Sequence, residues 1–326
     1  STIMPKIVTG GNMPQINSEA TQTNAVHQEQ QPTEPQTDTE QVLQPEQRQH
    51  VNVNPAQIQT PQIINNKVPV VVFVGPPSSG KSMILVRLAK YLRDEGYTIE
   101  TDPTFLNTDD YQQDCQEFND KLNTNIALKG SVKFLLVNVY KDGQEVAKLL
   151  EAPGEDFYTT DPMKIKAGKN DMVEPYLSTI ITSNNRKSYV VLLDLDSEIS
   201  FRRDSRHRDS YQQRFLKYFY PNIDKNKDRI ILLYNKIDMT MFGNINCCDN
   251  IKGARDDAKL YYKQWFSSMK VSSLGGFISS ENFVFKTFCT GVFSPQTDSF
   301  GEKYQTYNIA NNIFPKELWK EITRKF

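Results

Sequence analysis

Val68-Pro69-Val70-Val71-Val72-Phe73-Val74, running directly into Gly75-Pro76-Pro77-Ser78-Ser79-Gly80-Lys81-Ser82, is the stretch that decides the fold. Apart from Pro69, residues 68–74 are β-branched or aromatic, a short run suited to a strand buried on both faces. Beyond the loop, SMILVRLAKYLRDEG (82–96) repeats its apolar residues at helical spacing and stops at Gly96. The loop between them has the spacing G-x-x-x-x-G-K-[ST]. Its glycines let the backbone turn tightly, so that successive N–H groups point inward at an anion. The helix that starts there adds the positive end of its dipole. The anion-holding set is therefore expected at Gly75, Ser78, Ser79, Gly80, Lys81, Ser82 and Met83, with Lys81 reaching β- and γ-phosphates and the Ser82 hydroxyl ligating Mg²⁺. Pro76 and Pro77 remove two N–H groups, but on the rising side of the loop.

Working outward, SVKFLLVNVYKDGQEVAKLLEAPGE (131–155) reads as two strands around a tight turn at Lys141-Asp142-Gly143-Gln144. SYVVLLDLD (188–196) and DRIILLYNKID (228–238) read as two more buried strands, and NFVFKTFCTG (282–291) as the last one. Helices are expected near 172–184, 207–219 and 252–270, with a closing one near 315–325. Strands alternating with helices predict a three-layer α/β fold whose sheet is mostly parallel, the strand at 132–140 running antiparallel through the Asp-Gly hairpin. Residues 1–66 are rich in Gln, Thr, Pro, Asn and Glu, and no aromatic residue precedes Phe73. So few apolar groups cannot offset the entropy of ordering, and the segment reads as a disordered tail before one folded domain at 67–326.

Charge and composition exclude several functions. Lys plus Arg (38) nearly cancel Asp plus Glu (39), which gives no general case for nucleic acid or an anionic membrane. No apolar run approaches the ~18 residues of a spanning helix, and no basic segment leads into an apolar one at the N-terminus. Four cysteines without CxxC spacing fit a reduced, cytoplasmic setting. Of three histidines only His207 lies in the body of the chain, so neither a His-rich zinc site nor a Ser–His–Asp triad is expected.

Asn235-Lys236-Ile237-Asp238 closes the strand at 230–234. Here the chain resembles the P-loop GTPases of the Ras-like and translation-factor class, whose guanine-specificity motif is N-K-x-D at a strand end. The resemblance implies GTP/GDP and Mg²⁺ as cofactors, with Asp238 accepting from guanine N1–H and the 2-amino group. Adenine presents neither donor and would leave that carboxylate unpaired. By the same resemblance Asn235 bonds the base's N7 edge and ties loops together, and the stem of Lys236 covers one base face. Leu149-Leu150-Glu151-Ala152-Pro153-Gly154-Glu155 stands where this class carries D-x-x-G. Gly154 is then expected to offer its N–H to the γ-phosphate, and Glu151, in place of Asp, to orient a Mg²⁺-bound water. Glu155 holds the place of the Gln that positions the attacking water, and it cannot donate an amide hydrogen bond to the transferring group. Lys81 and Glu155 are thus the catalytic candidates, and hydrolysis is expected to be slow or partner-assisted.

The first switch of this class falls at TIETDPTFLNT (98–108), where Thr101, Thr104 and Thr108 all qualify and Thr104 is preferred as a metal ligand beside Ser82 and Glu151. Cys289-Thr290-Gly291 stands where N–H groups meet guanine O6. GKS, GEDF (154–157) and VLLDLD (191–196) further resemble the bacterial double-GTPase branch, which implies a regulatory module with a protein effector or regulatory partner. Two rival readings remain: a P-loop ATPase or kinase with Asp194 as the Mg²⁺-organising acid, or a nucleotide-binding scaffold that does not hydrolyse. Arg202, Arg203, Arg206 and Arg208 could supply an arginine finger, although such runs are more often a solvated helix face. Cys247-Cys248 reads as packing, and PKELWKEITRKF (315–326) as an amphipathic helix that docks on the sheet or, more sharply, binds a partner.

Overall fold

All five residues of β1 (Val70–Val74) are buried, as expected of a β-branched run with no polar side to offer solvent. In this computed structural model the described residues are 65, 67–106, 108–127, 134–193, 205–273 and 278–324. They belong to the compact unit Pro55–Phe326; the other unit, Ser1–Asn54, and with it most of the expected tail, lies outside them.

Seven strands form the main sheet: β1, β2 (Thr98–Thr101), β3 (Leu135–Lys141), β4 (Gln144–Glu151), β5 (Lys187–Leu193), β6 (Arg229–Tyr234) and β9 (Val284–Thr287), in the order β2-β3-β4-β1-β5-β6-β9. β1 pairs in parallel with β4 and β5, β5 with β6, and β6 with β9. β3 alone runs against the others, antiparallel to both β2 and β4. The turn that reverses it has φ 51° at Asp142 and 76° at Gly143, the paired left-handed geometry that matches strand twist in a two-residue hairpin. The expected architecture stands: a three-layer α/β fold whose mostly parallel sheet carries one antiparallel strand.

Helices cover both faces. Arg229 bonds Glu321 of α9 (Ile313–Thr323), whereas Tyr234 bonds Asp257 of α7 (Ile251–Tyr261). These two β6 residues differ by an odd number of positions, so α9 and α7 lie on opposite faces of the sheet. α9 packs beside α1 (Lys81–Asp94), and α1 beside α2 (Asp109–Leu122). On the other side α7 meets α8 (Lys263–Ser268), which meets α6 (Ser205–Arg214); α6 runs on into a π turn at Phe215–Phe219. The short α3 (Gly154–Phe157), α4 (Pro162–Lys166) and α5 (Pro175–Thr182) lead from β4 to β5. α9 docks through Phe314, Leu318, Trp319 and Ile322, all buried.

Two expectations need correction. The strand at 284–287 is not the last: β10 (Gly291–Thr297) and β11 (Lys303–Ile309) follow it as a separate antiparallel hairpin, and β7 (Lys270–Ser273) with β8 (Ile278–Glu281) precedes it as another. A helix absent from those expected, α2, also follows the stretch at 98–108, whose first four residues form the edge strand β2. Among the described residues no helix is long and apolar enough to cross a membrane.

Candidate functional site

The chain leaves β1 at the centre of the sheet and wraps into the loop at 75–80 before α1 begins. Gly80 adopts φ 94°, and a Cβ there would stand 2.6 Å from Asn235 Nδ2. That contact is used, since Asn235 Nδ2 donates to the Ser79 carbonyl at 3.1 Å and ties the end of β6 to the loop. Lys81 is buried and folds back to donate to the carbonyls of Gly75 (3.0 Å) and Pro76 (3.2 Å).

Ser82 and Glu151 meet beside it. The Ser82 hydroxyl donates to Glu151 Oε1 from the end of β4. Burial pushes the Glu151 carboxyl up to about 7, against the opposing pull of Lys81 and the Ser82 bond. Its second oxygen, Oε2, is buried with no hydrogen-bond partner, as are Ser79 Oγ and Asn235 Oδ1. A hydroxyl and an unsatisfied carboxylate side by side are hard oxygen donors that fit Mg²⁺. Among the described residues no group of three or more His, Cys, Asp or Glu could hold a metal ion.

The raised carboxyl has a consequence for stability. A group ordinarily near 4.5 that stands near 7 when folded contributes fully below 4.5, and that contribution is lost as pH rises through 7. In EDTA the melting temperature of the nucleotide-free protein is therefore expected to fall between pH 5 and pH 8. Glu151→Gln should flatten the profile; an unchanged slope would assign the pH dependence to another group.

Gly154, first residue of α3, rests on the two prolines of the loop: a Cβ would stand 2.3 Å from Pro77 N and 2.5 Å from Pro76 C. Glu155 next to it turns away, ion-paired with Lys164 and half exposed. The three candidate threonines have separate places. Thr101 pairs with Val137 in the sheet. Thr108 caps α2, accepting from Tyr111 N at 3.2 Å. Thr104 lies in the exposed loop between them, its N and Oγ1 donating to Asp102 Oδ1 at 3.0 and 2.7 Å.

At the far end Lys236 takes φ 57° and starts a single 3₁₀ turn that carries Asp238. Asp238 Oδ1 accepts from the Cys289 thiol at 3.1 Å, and Ile237 N donates to Phe288 O at 3.1 Å. Burial and that carboxylate push the Cys289 thiol well up, so it stays a neutral donor.

A cleft of about 440 Å³ runs between the two ends. Of the expected residues, Ser78, Gly80, Lys81, Ser82, Met83, Glu151, Gly154, Asn235, Lys236, Asp238, Thr290 and Gly291 line it. Gly75 and Ser79 are buried in the loop itself, and Cys289 is bonded to Asp238. Glu155 and Thr104 are not in the lining, whereas Ala127, Met239, Phe293 and Gln305 are, and no motif pointed to these four. Asp194, Arg202 and Arg203 lie outside the described residues. Arg206 is exposed on α6, and Arg208 sits over the Tyr261 ring at 5.2 Å. Cys247 donates to Asp249 Oδ1 at 2.7 Å and Cys248 packs against the core; all four cysteines are free thiols.

No family model matches the chain, and no curated protein matches it. Among solved structures it is similar to nucleolar GTP-binding protein 1 of Plasmodium falciparum, at 12% identity and TM-score 0.33 over 70% of this chain and 80% of that one. It is also similar to the S. cerevisiae Ski7 GTPase-like domain bound to GDP and inorganic phosphate (15%, TM-score 0.34, 69% of this chain and 43% of that one). The third is Methanosarcina barkeri Roco2 RocCORdC bound to GDP (13%, TM-score 0.26, 70% of this chain and 44% of that one). Likeness of this extent assigns the chain to no family.

Proposed function

We propose that this protein binds a guanine nucleotide with Mg²⁺ in the cleft and works as a GTP/GDP switch whose hydrolysis is slow or assisted by a partner. The observation that carries the reading is that one cleft joins a phosphate end, with Lys81, Ser82 and Glu151, to a base end, with Asn235, Lys236, Asp238 and Thr290. Ser82 and Glu151 would hold Mg²⁺, whose part is to neutralise charge on the β- and γ-phosphate oxygens. Lys81 would exchange its two loop carbonyls for phosphate oxygens, and the loop N–H groups would surround the same anion. Gly154, which lines the cleft against the loop, would offer its N–H to a γ-phosphate and so couple α3 to its presence.

Asp238 selects guanine by accepting from N1–H and the 2-amino group, and its bond from Cys289 fixes the carboxylate in place. Hydrolysis needs a water oxygen to attack the γ-phosphorus while the bond to the β–γ bridging oxygen breaks. Glu155 could take the water's proton only after leaving Lys164, and it has no N–H to stabilise the transferring group. That favours a partner completing the site over rapid unaided turnover.

Titration with fluorescent GTP, GDP and ATP analogues in Mg²⁺ tests the reading. Wild type should prefer both guanine nucleotides. Asp238→Asn should weaken GDP by about a hundredfold, the worth of a doubly bonded charged acceptor. Lys81→Ala should weaken every nucleotide. Equal binding of ATP, indifferent to Asp238→Asn, would sink the guanine reading and bring Asp194 forward as the acid of an ATPase or kinase.

A further inference from the structure

β10 begins at Gly291, the last residue of the loop that backs Asp238, and beyond Gly291 its hairpin with β11 belongs to none of the motifs that point to the site. We infer that this hairpin forms the second wall of the base pocket, with Phe293 stacking on the purine. The inference rests on the guanine-nucleotide reading above.

Placement supports it. Gly291 and Phe293 both line the cleft, as strand residues two apart should when one face of the hairpin turns inward. Cross-strand register puts Tyr307 opposite Phe293 and Gln305 opposite Pro295, on that same face, and Gln305 also lines the cleft. Phe293 stands about 7 Å along the strand from Gly291, within the span of a purine from the loop that holds Asp238. Lys236 reaches the cleft from the end of β6 and Phe293 from β10, so the two come from different elements toward one space.

Rigidity supports it too. Tyr307 N donates to Asn125 O at 2.9 Å, and Ala127 N to Gln305 O at 2.8 Å. Lys90 of α1 donates to the Tyr307 hydroxyl at 2.9 Å, and Arg87 to Ala310 O at 2.8 Å. The Tyr307 ring lies 5.4 Å from that of Phe293 and backs it. Phe293 nonetheless keeps 39% of its surface open. An aromatic face held still in a cleft and left partly bare is suited to stack a flat heterocycle, and every base has such a face.

The test uses the full chain, GDP and GTP, and the variants Phe293→Ala, Phe293→Leu and Phe293→Tyr, with Asp238→Asn as reference. Phe293→Ala and Phe293→Leu should each weaken GDP and GTP equally, by about tenfold, through faster dissociation. Phe293→Tyr should restore binding. The nucleotide-free melting temperature should move by less than about 3 °C, as for a partly exposed side chain. If Phe293→Ala proves unstable, Phe293→Leu, which keeps the bulk and loses the ring, decides the same question. Wild-type affinity in Phe293→Leu, with GDP binding still dependent on Asp238, would overturn the stacking wall and leave the guanine reading intact. A loss confined to GTP would also overturn it, by placing the contact at the phosphates. No GDP binding by wild type, or binding indifferent to Asp238→Asn, would mean that the guanine reading itself had failed.

Discussion

Adding one methyl group at Gly154 is expected to destabilise the protein by about 3 kcal/mol and to abolish tight nucleotide binding. The new carbon would meet Pro77 N at 2.3 Å, Pro76 C at 2.5 Å and Pro77 Cα at 2.6 Å. These are backbone atoms of a loop whose two prolines already restrict it, so no side chain can swing aside. Gly154 is not among the residues with positive φ, so alanine suits its own backbone and the whole effect comes from the contact. Either α3 lifts off the loop or the loop is pushed into the cleft, and both move the groups that would hold phosphate. Gly143→Ala is the informative control: it has nothing within 4 Å and meets only the strain of φ 76°, about 1 kcal/mol. Urea midpoints and GDP titration of the two variants make the comparison. A Gly154→Ala protein no less stable than Gly143→Ala would show that the loop and α3 separate freely.

The second large effect lies far from the cleft. Glu321→Ala is expected to cost about 3–5 kcal/mol, the usual penalty for stranding a buried charge, and to lower the melting temperature by roughly 10 °C. Glu321 is buried on α9, and it stands 2.7 Å from Arg229 and 3.4 Å from Lys286. Arg229 also bears on Arg186, where it adds to the burial that already lowers that guanidinium. Removing Glu321 takes away the carboxylate at 2.7 Å from Arg229 while Arg186 remains beside it. Glu317→Ala offers the contrast, because Glu317 pairs with the same Lys286 at 2.9 Å but keeps 37% of its side chain in water. An exposed pair of that kind is worth less than about 1 kcal/mol. Similar losses from both variants would mean that α9 docks by its apolar residues alone.

Much of the fold was legible because its strands are fully buried. β1, β5 and β6 show as unbroken apolar runs, and Asp142-Gly143 marks the hairpin without help from tertiary context. α2 is hard to see although Tyr111, Cys115, Phe118 and Leu122 follow helical spacing, because ten polar residues surround those four. β2, β10 and β11 were illegible for another reason. TIET and GVFSPQT are short, largely exposed strands, and Pro295 in the second argues against a strand unless it lies at an edge. At the candidate site the contiguous motifs declared themselves, whereas Phe293, Gln305 and Ala127 reach the cleft only through pairings that the fold creates. The Lys164 partner of Glu155 is of the same kind, since nothing in the spacing of the two residues requires α4 to turn back on α3.

Arg87 and Lys90 link the end of the folded body to its beginning. Both sit inside α1, and burial draws both below their ordinary range, Lys90 to about 8. Their acceptors include Ala310 O, Asn312 Oδ1 and the Tyr307 hydroxyl, all supplied after the last strand of the main sheet. A fragment ending at Gly291 would retain every strand of that sheet, yet Arg87 would lose its acceptors at Ala310 and Asn312, and Lys90 would keep only those at Thr124 and Asn125. The smallest self-sufficient piece of this chain is therefore larger than its sheet, and the segment at 307–312 is part of what holds α1 in place.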